Sequence, residues 1–386
     1  MEERIPRQNG SGGARPRGAA VLGAGMIAAV HRRAALLAGA EVTGVLASNP
    51  ERSLEAARQW RTTGYRDIEE VLADERVDVV HICTPNASHA EYAEAALRAG
   101  KHVVCEKPLG VSPAQAQRMA ELAASTGLVA TVPFVYRYHP IVRELRARLR
   151  GGELGDRLLL IHGSYLQDWM LSPDASSWRV FPESGGPSRA FADIGSHWCD
   201  LVEWITGDPF TELTSATSVA VADRPGTGGP SFGVAGSGTR SRVHTEDSAA
   251  LLLRTESGVL ASATISQVAA GRKNRLWFEL DGSTGSAVFD QEAPESIWLG
   301  GPEESRIVVR DNGSGSAEQR RLSHLPAGHA QGYAQCFENF VADTYAAIDG
   351  ATPEGLPGFA DGLRSARVVD AVLRSVHEGA WTKVER

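Results

Sequence analysis

Cysteine is scarce in this chain. Four residues, Cys83, Cys105, Cys199 and Cys336, are spread over 386 positions, mostly inside apolar segments where a reduced, buried thiol is the usual occupant. That spacing excludes a disulfide framework and a cysteine metal cluster, and no metal site is expected. Long apolar runs are missing too: none reaches the roughly 18 residues that cross a bilayer. Positive charge is not in excess. With 39 Lys and Arg against 47 Asp and Glu, the formal charge is -8, which disfavours nucleic acid and anionic membrane surfaces as partners. Residues 1–18 are rich in Gly, Arg and Pro and lack the apolar core of a secretory signal. They read as a disordered tail on a cytoplasmic protein.

What is present is the composition of a soluble globular protein, 42% hydrophobic and 22% charged, in a chain too long for one ordinary core. A βα rhythm occupies residues 19–136. The strand-like Ala19–Leu22 runs into Gly23-Ala24-Gly25-Met26-Ile27-Ala28 and a helical segment to Ala38. Gly-x-Gly-x-x-Ala between strand and helix is a dinucleotide-binding turn. Gly23 permits the tight bend, Gly25 lets backbone amides there and at Met26 and Ile27 approach a pyrophosphate, and Ala28 keeps the helix close to the strand. The second strand, Glu41–Leu46, ends on Ala47-Ser48-Asn49-Pro50, with Arg52 close behind. The carboxylate that grips the ribose hydroxyls of NAD is not there. A hydroxyl, an amide and a guanidinium suit a 2′-phosphate, so the expected cofactor is NAD(P), with NADP favoured.

Further βα units follow: helices at 53–60, 67–73, 91–99 and 114–125, and strands at 77–83 and 129–135. Thr84-Pro85-Asn86-x-x-His89 sits where the strand at 77–83 ends. Thr84, Pro85, Asn86 and His89 are either cofactor contacts or caps of the helix that begins there. Val103-Val104-Cys105 is a buried strand that runs directly into Glu106-Lys107-Pro108. Pro108 stops the strand and leaves Glu106 and Lys107 at the carboxyl edge of the sheet, where ligands sit in open α/β folds. Both are candidate cofactor contacts and Lys107 is a candidate for chemistry; a solvated surface turn is the alternative.

After Tyr138 the alternation gives way to longer strand-like segments, so residues 137–386 are assigned to a second domain. Helical spacing from Asp193 to Ile205 puts Asp193, His197, Asp200 and Trp204 in one stripe and Ile194, Trp198, Leu201 and Ile205 in another. The second should face a core and the first something polar. A carboxylate and an imidazole one turn apart at a helix start suit proton handling; an exposed ion pair is the alternative.

Gly23-x-Gly-x-x-Ala28, Thr84-Pro85-Asn86-x-x-His89, Glu106-Lys107-Pro108 and Asp193-x-Gly-x-His197, in this order and at these separations, resemble the motifs of the Gfo/Idh/MocA oxidoreductases. The resemblance covers nearly everything after the tail. It implies an α/β protein: an N-terminal Rossmann domain, then an α/β domain with a large, mostly antiparallel open sheet that often serves to form homo-oligomers, here a dimer or tetramer. It also implies that Lys107, Asp193 and His197 are the catalytic set. Two departures stand out. The acid after the second strand is missing, and Gly185-Gly186-Pro187 stands where Gly-Gly-Gly is common.

Tyr165-Leu166-Gln167-Asp168-Trp169 and Ser177-Trp178-Arg179 are dense in flat faces and bidentate groups, the chemistry that stacks on a sugar ring and reads its hydroxyls. Both stretches resemble those of family members acting on pyranose rings. Candidate substrate contacts are Tyr136, Gln167, Asp168, Trp169, Trp178 and Arg179, with Lys107, Asp193 and His197. Arg137, Arg272-Lys273-Asn274 and His329-x-Gln331-x-x-Tyr333 form a second tier. Asp223–Arg242, rich in Gly, Ser and Pro and without a period, reads as a mobile loop. Residues 276–280 and 286–290 read as strands, and 331–347 and 359–376 as helices. The expected activity is reversible hydride transfer between a nicotinamide and a ring carbon bearing a secondary hydroxyl of a sugar, glycoside or cyclitol. Lys107 and His197 handle the proton while Asp193 orients or tunes them; which of the two is the base stays open. The rivals are a keto-sugar reductase and a non-catalytic NADPH-binding sensor or scaffold.

Overall fold

The computed structural model describes residues 15–226 and 239–386. Six strands form a parallel sheet: β1 (Gly18–Leu22), β2 (Glu41–Leu46), β3 (Thr63–Gly64), β4 (Val79–Ile82), β5 (His102–Cys105) and β6 (Ala130–Thr131). Their order is β3-β2-β1-β4-β5-β6. Every residue of β1 and of β4 is buried, as expected of strands covered by helices on both faces. The order reverses between β1 and β4, which opens a crevice at their carboxyl ends. Side chains of Asn49, Asp67 and Ser112 accept backbone N–H groups at the starts of the helices Pro50–Trp60, Ile68–Ala73 and Pro113–Thr126. These caps fix where each helix leaves the sheet.

The later strands are β7 (Leu158–Leu166), β8 (Phe210–Ser218), β9 (Asp223–Pro225), β10 (Arg240–Arg242), β11 (Ser248–Thr255), β12 (Leu260–Ser266), β13 (Arg275–Gly282), β14 (Ser286–Asp290), β15 (Ser296–Gly300), β16 (Ser305–Val309) and β17 (Thr382–Lys383). Nine of them make a second sheet in the order β16-β15-β14-β13-β7-β12-β11-β8-β17. It is antiparallel except where β7 meets β12. Side chains alternate cleanly: in β11, Ala249, Leu251 and Leu253 are buried while Ala250, Leu252 and Arg254 are exposed. One face is therefore core and the other is open. The helices Pro140–Arg150, Ser196–Thr206 and Phe359–Glu378 cover the inner face, joining Leu145, Trp198, Leu201 and Val372 to Phe278 and Leu280.

The chain's end also returns to the first sheet. The helix Tyr333–Ile348 lays Phe337, Phe340 and Val341 against Ala19, Val79 and Val104. Phe359 and Leu363, from the last long helix, join the core around Val103 and Met119.

Three expectations need correction. The strand read at 129–135 shrinks to Ala130–Thr131: Pro133 has no N–H for a ladder, and the Val132 N–H goes to the Pro357 carbonyl instead. The tail read as disordered falls outside the described residues up to residue 14, but Arg15 is paired with Asp78 and Arg17 with Asp349. The loop read at Asp223–Arg242 is not one at its ends, where β9 and β10 pair; residues 227–238 lie outside the described residues. Arg224 in β9 is fully buried. It donates to Asp247 at 3.0 Å and to the carbonyls of Met170, Ser172 and Ala175 at 2.8 to 3.0 Å. Asp247 also binds the buried Arg189. Composition hid this because a single anchoring arginine does not alter a Gly/Ser-rich average.

Arg224→Ala should therefore lower stability by about 3–5 kcal/mol, the usual result of breaking a buried ion pair. A denaturant titration checks it, and an unchanged midpoint would show that the ribbon does not anchor the segment.

Candidate active site

The site begins with a glycine turn. Gly23 has φ +109°, and a Cβ there would lie 2.6 Å from the Cys83 carbonyl oxygen, so no other residue fits. Gly25 precedes the helix Met26–Leu37 in extended conformation, and no side chain caps that helix. Its first N–H groups are thus free of a side-chain acceptor, which suits a pyrophosphate. Ala28 is buried beside Val21 and Cys83, holding helix against strand.

At the end of β2 the Asn49 side chain is already used, accepting the Arg52 N–H at 2.9 Å as the helix cap. The Arg52 guanidinium donates to Ser48 Oγ at 3.3 Å. Ser48 and Arg52 thus stand together at the exposed turn. Beyond β4, the Asn86 amide donates to the Gly185 carbonyl at 2.8 Å, tying this turn to the loop before Asp193. His89 is fully buried, with one ring nitrogen 2.8 Å from the Pro108 carbonyl and the other 3.0 Å from that of Thr84. These two side chains position the strand-end turns. Gly186, of the Gly-Gly-Pro that departs from the family pattern, has φ +92°, which explains the glycine.

Lys107 leaves the carboxyl end of β5 and crosses to the second half of the chain. Its ammonium donates to Oδ1 and to the backbone carbonyl of Asp193, each at 2.8 Å. The Gln267 amide donates to the other carboxylate oxygen at 2.8 Å, and Arg179 Nε lies 3.5 Å from Oδ1 while its guanidinium stacks on Trp178. Asp193 occupies a π-helical turn, Phe191–Gly195, that runs into the helix Ser196–Thr206; such turns recur at functional sites. Gly195 is required sterically, since a Cβ would strike the Phe191 ring at 2.3 Å. One turn on, His197 sits edge-on to Tyr136 and Phe134, with ring centroids 5.0 and 5.7 Å away.

Burial pushes Asp193 up, but the Lys107 ammonium and the Arg179 guanidinium outweigh it and hold the carboxyl well below its usual range. Burial, then the Lys107 charge, drives His197 well below the ordinary imidazole value against the pull of Asp193. At neutral pH the cluster is a carboxylate anion and a neutral imidazole, an arrangement able to accept a proton and to steady a cation.

Beside His197 lies a chain of hydrogen-bonded polar groups. Trp169 donates to Gln167 Oε1 at 2.9 Å, Gln167 to Asn274 Oδ1 at 2.8 Å, and Tyr165 to the same oxygen at 2.7 Å. Asn274 in turn donates to the Tyr136 hydroxyl at 3.1 Å. Tyr136, Gln167, Trp169, Trp178 and Arg179 are thereby gathered with Lys107, Asp193 and His197.

Other expected residues go elsewhere. Asp168 is tied to Lys273 at 2.6 Å and to the Gly271 N–H, bracing one loop against the next. Asp200 and Trp204 do not share the polar stripe. The π turn offsets them from Asp193, and Asp200 is buried against Arg137, which also reaches Asp361. Trp204 lies under Arg146 and Arg143. Gln331 is consumed inside its own loop, donating to the Leu322 carbonyl. Gln267 was not anticipated, though its place directly after β12 is a strand end, the same signal that singled out Lys107.

Comparison with known proteins bears on this arrangement. Residues 17–134 match the model of an oxidoreductase family with an NAD-binding Rossmann fold, and residues 142–288 match the GFO/IDH/MocA C-terminal domain. The chain is 32% identical over 352 residues to levoglucosan dehydrogenase of Pseudarthrobacter phenanthrenivorans, covering 87% of this chain and 88% of that protein. The chain belongs to the Gfo/Idh/MocA oxidoreductase family. It is also 27% identical over 360 residues to inositol 2-dehydrogenase of Rhizobium meliloti, covering 93% of this chain and 96% of that one. A solved levoglucosan dehydrogenase in complex with NADH and L-sorbose superposes with a TM-score of 0.86 at 28% identity, over 96% of this chain and 99% of that one. The resemblance read from four motifs is thus borne out, as is the Rossmann-plus-open-sheet fold of a Gfo/Idh/MocA protein. No helix among the described residues is long and apolar enough to cross a membrane.

Neutral buried histidines should make this oxidoreductase acid-sensitive. Burial pulls His139 down to about 4 and also drives His197 well below the ordinary imidazole value. Below the ordinary pKa of about 6.5 the unfolded chain takes up protons that the folded chain refuses, so stability is full above that value and declines as pH falls. His139 alone should cost about 2 kcal/mol between pH 7.5 and 5. Urea midpoints at the two values check this, and equal midpoints would contradict it.

Proposed function

We propose that the protein oxidises a secondary ring hydroxyl of a sugar, glycoside or cyclitol in the cytoplasm, using NAD(P). The observation that carries this reading is the junction of Lys107, at the end of β5, with Asp193, in the π turn, at 2.8 Å, beside a neutral His197 and an aromatic, amide-rich wall. A bound nicotinamide supplies the hydride acceptor. The Gly23-to-Ile27 turn would hold its pyrophosphate, and Thr84, Pro85, Glu106 and Lys107 at the strand ends would meet the rest of it. Lys107 and His197 bind the reacting hydroxyl oxygen and take its proton; burial keeps His197 neutral beforehand, and the Asp193 carboxylate favours the protonated ring once the proton arrives. Asp193 holds the ammonium in place. Trp169 and Trp178 offer flat faces to the ring, and Gln167 and Arg179 offer partners to its other hydroxyls. The relatives named for levoglucosan and inositol, both polyhydroxylated rings, support this substrate class. A keto-sugar reductase would use the same groups in reverse.

NADP is favoured over NAD because Ser48 and Arg52 meet where a carboxylate would grip the ribose. Ser48→Asp should weaken NADP far more than NAD, since the carboxylate would repel a 2′-phosphate; fluorescence titrations of both cofactors check it. The open face of the second sheet, with Leu160, Leu252, Leu260, Ile307 and Val309 exposed, supports a homo-oligomer joined there.

The deciding experiment follows absorbance of the reduced nicotinamide on mixing protein, each cofactor and a panel of sugars, glycosides and inositols. Turnover of at least one cyclic polyol is expected. Tight cofactor binding with no turnover of any, in either direction, would favour the non-catalytic sensor.

A further inference from the structure

Behind Lys107, the Glu106 carboxylate is joined through the core to two imidazoles and a phenol that the proposed reaction does not use. Glu106 Oε1 lies 3.1 Å from His31 Nε2, His31 Nδ1 lies 3.0 Å from His81 Nδ1, and His81 Nε2 lies 3.0 Å from the Tyr345 hydroxyl. All four residues are buried, His31 and His81 completely. They come from four elements: the turn after β5, the helix Met26–Leu37, β4, and the helix Tyr333–Ile348. His81 interrupts Val-Val-His-Ile in a strand with no exposed position. An imidazole there costs free energy unless both nitrogens are bonded, and both are.

The line has a direction. Tyr345 has no other hydrogen bond among the described residues, so its O–H is satisfied only by donating to His81 Nε2. His81 must then carry its proton on Nδ1 and donate to His31 Nδ1. His31 carries its proton on Nε2 and donates to Glu106. Reversing the order leaves the Tyr345 O–H buried without an acceptor. At the far end Glu106 Oε2 accepts the Lys107 backbone N–H at 3.2 Å, so each carboxylate oxygen has a donor. The other titratable groups around Glu106 are the Lys107 ammonium on its own turn, His89 on the helix His89–Arg98, the thiols of Cys83 and Cys105, and Tyr333 on the helix Tyr333–Ile348.

We propose that Tyr345, His81 and His31 are positioning residues: a one-way hydrogen-bond chain that delivers an N–H to Glu106 and keeps that carboxylate ionised and fixed beside Lys107. Burial alone would favour the protonated acid, and His31 is the main group opposing it. The significance for turnover rests on the reading of Lys107 as part of the active site; the chain itself does not.

Nitrogen-15 NMR of the histidine rings in the cofactor-free protein tests the direction. His31 should be the Nε2–H tautomer and His81 the Nδ1–H tautomer; the opposite tautomers, or a doubly protonated His31, would overturn the chain. Carbon-13 NMR of the glutamate carboxyls, with Glu106 assigned through Glu106→Gln, tests its effect without any substrate. Glu106 should titrate below the ordinary value of about 4.3, and His81→Leu should raise its midpoint by about half a unit or more. Tyr345→Phe, which removes only a hydroxyl, should raise it less and serves if His81→Leu does not fold. An unmoved midpoint in a folded variant overturns the positioning role. Given turnover, the acidic limb of kcat/KM should move with that midpoint while the high-pH plateau stays. A moved midpoint with a fixed limb overturns the link to turnover, whereas absence of turnover in the wild type counts against the sugar-oxidoreductase reading alone.

Discussion

The ion pair between Lys107 and Asp193 is the constraint on which the arrangement depends. Its members lie 86 positions apart, one at the end of a parallel strand and the other in a π turn of the second unit. With side chains 14% and 12% exposed, the pair is largely shielded from water, and removing either partner would leave the other's charge uncompensated. Lys107 spends two of its three donors on Asp193 and Gln267 takes the remaining carboxylate oxygen. That leaves one ammonium donor uncommitted to the pair, and it is the one available to a ligand hydroxyl.

Much of the surrounding structure serves to bring those two residues together. His89 holds the Pro108 carbonyl and so shapes the turn that launches Lys107. Asn86 ties the neighbouring strand end to Gly185, at the root of the loop leading to Asp193. Glu246 receives the N–H groups of Arg189 and Phe191, fixing the entry to the π turn. Gly195 lets the Phe191 ring close over that turn. Each hydrogen bond is modest, about 1 kcal/mol by the usual scale, but together these contacts remove the freedom that would otherwise separate a lysine at a strand end from a carboxylate in a distant π turn.

The sequence disclosed the parts of this that depend on local pattern. The glycine turn, the Glu-Lys-Pro strand end and the core stripe of Trp198, Leu201 and Ile205 follow from period and position. What it hid depends on tertiary partners. Equal helical spacing put Asp200 with Asp193, but a π turn cannot be read from spacing, and Asp200 turned inward to Arg137. Asp168 looked like a sugar ligand because it stands between Gln167 and Trp169, whose chemistry suits one, whereas Lys273, from a loop over a hundred residues on, claims it. Arg224 vanished in a Gly/Ser-rich stretch because burial of one arginine is set by Asp247 and three carbonyls, none of them local. Gln267 supports Asp193 from the end of a strand that runs parallel to β7, a pairing no local signal announces.

The central claim is that Lys107 reaches the reacting hydroxyl rather than merely joining the two halves of the chain. Single-turnover reduction of bound cofactor by a sugar substrate, compared between the wild type and Lys107→Met with cofactor affinity measured alongside, tests it most directly. A fall of roughly a hundredfold or more in the rate, with affinity for the cofactor nearly unchanged, is the result expected for a proton-handling group. A wild-type rate in a folded Lys107→Met protein would contradict the account and reduce the ion pair to a structural tie.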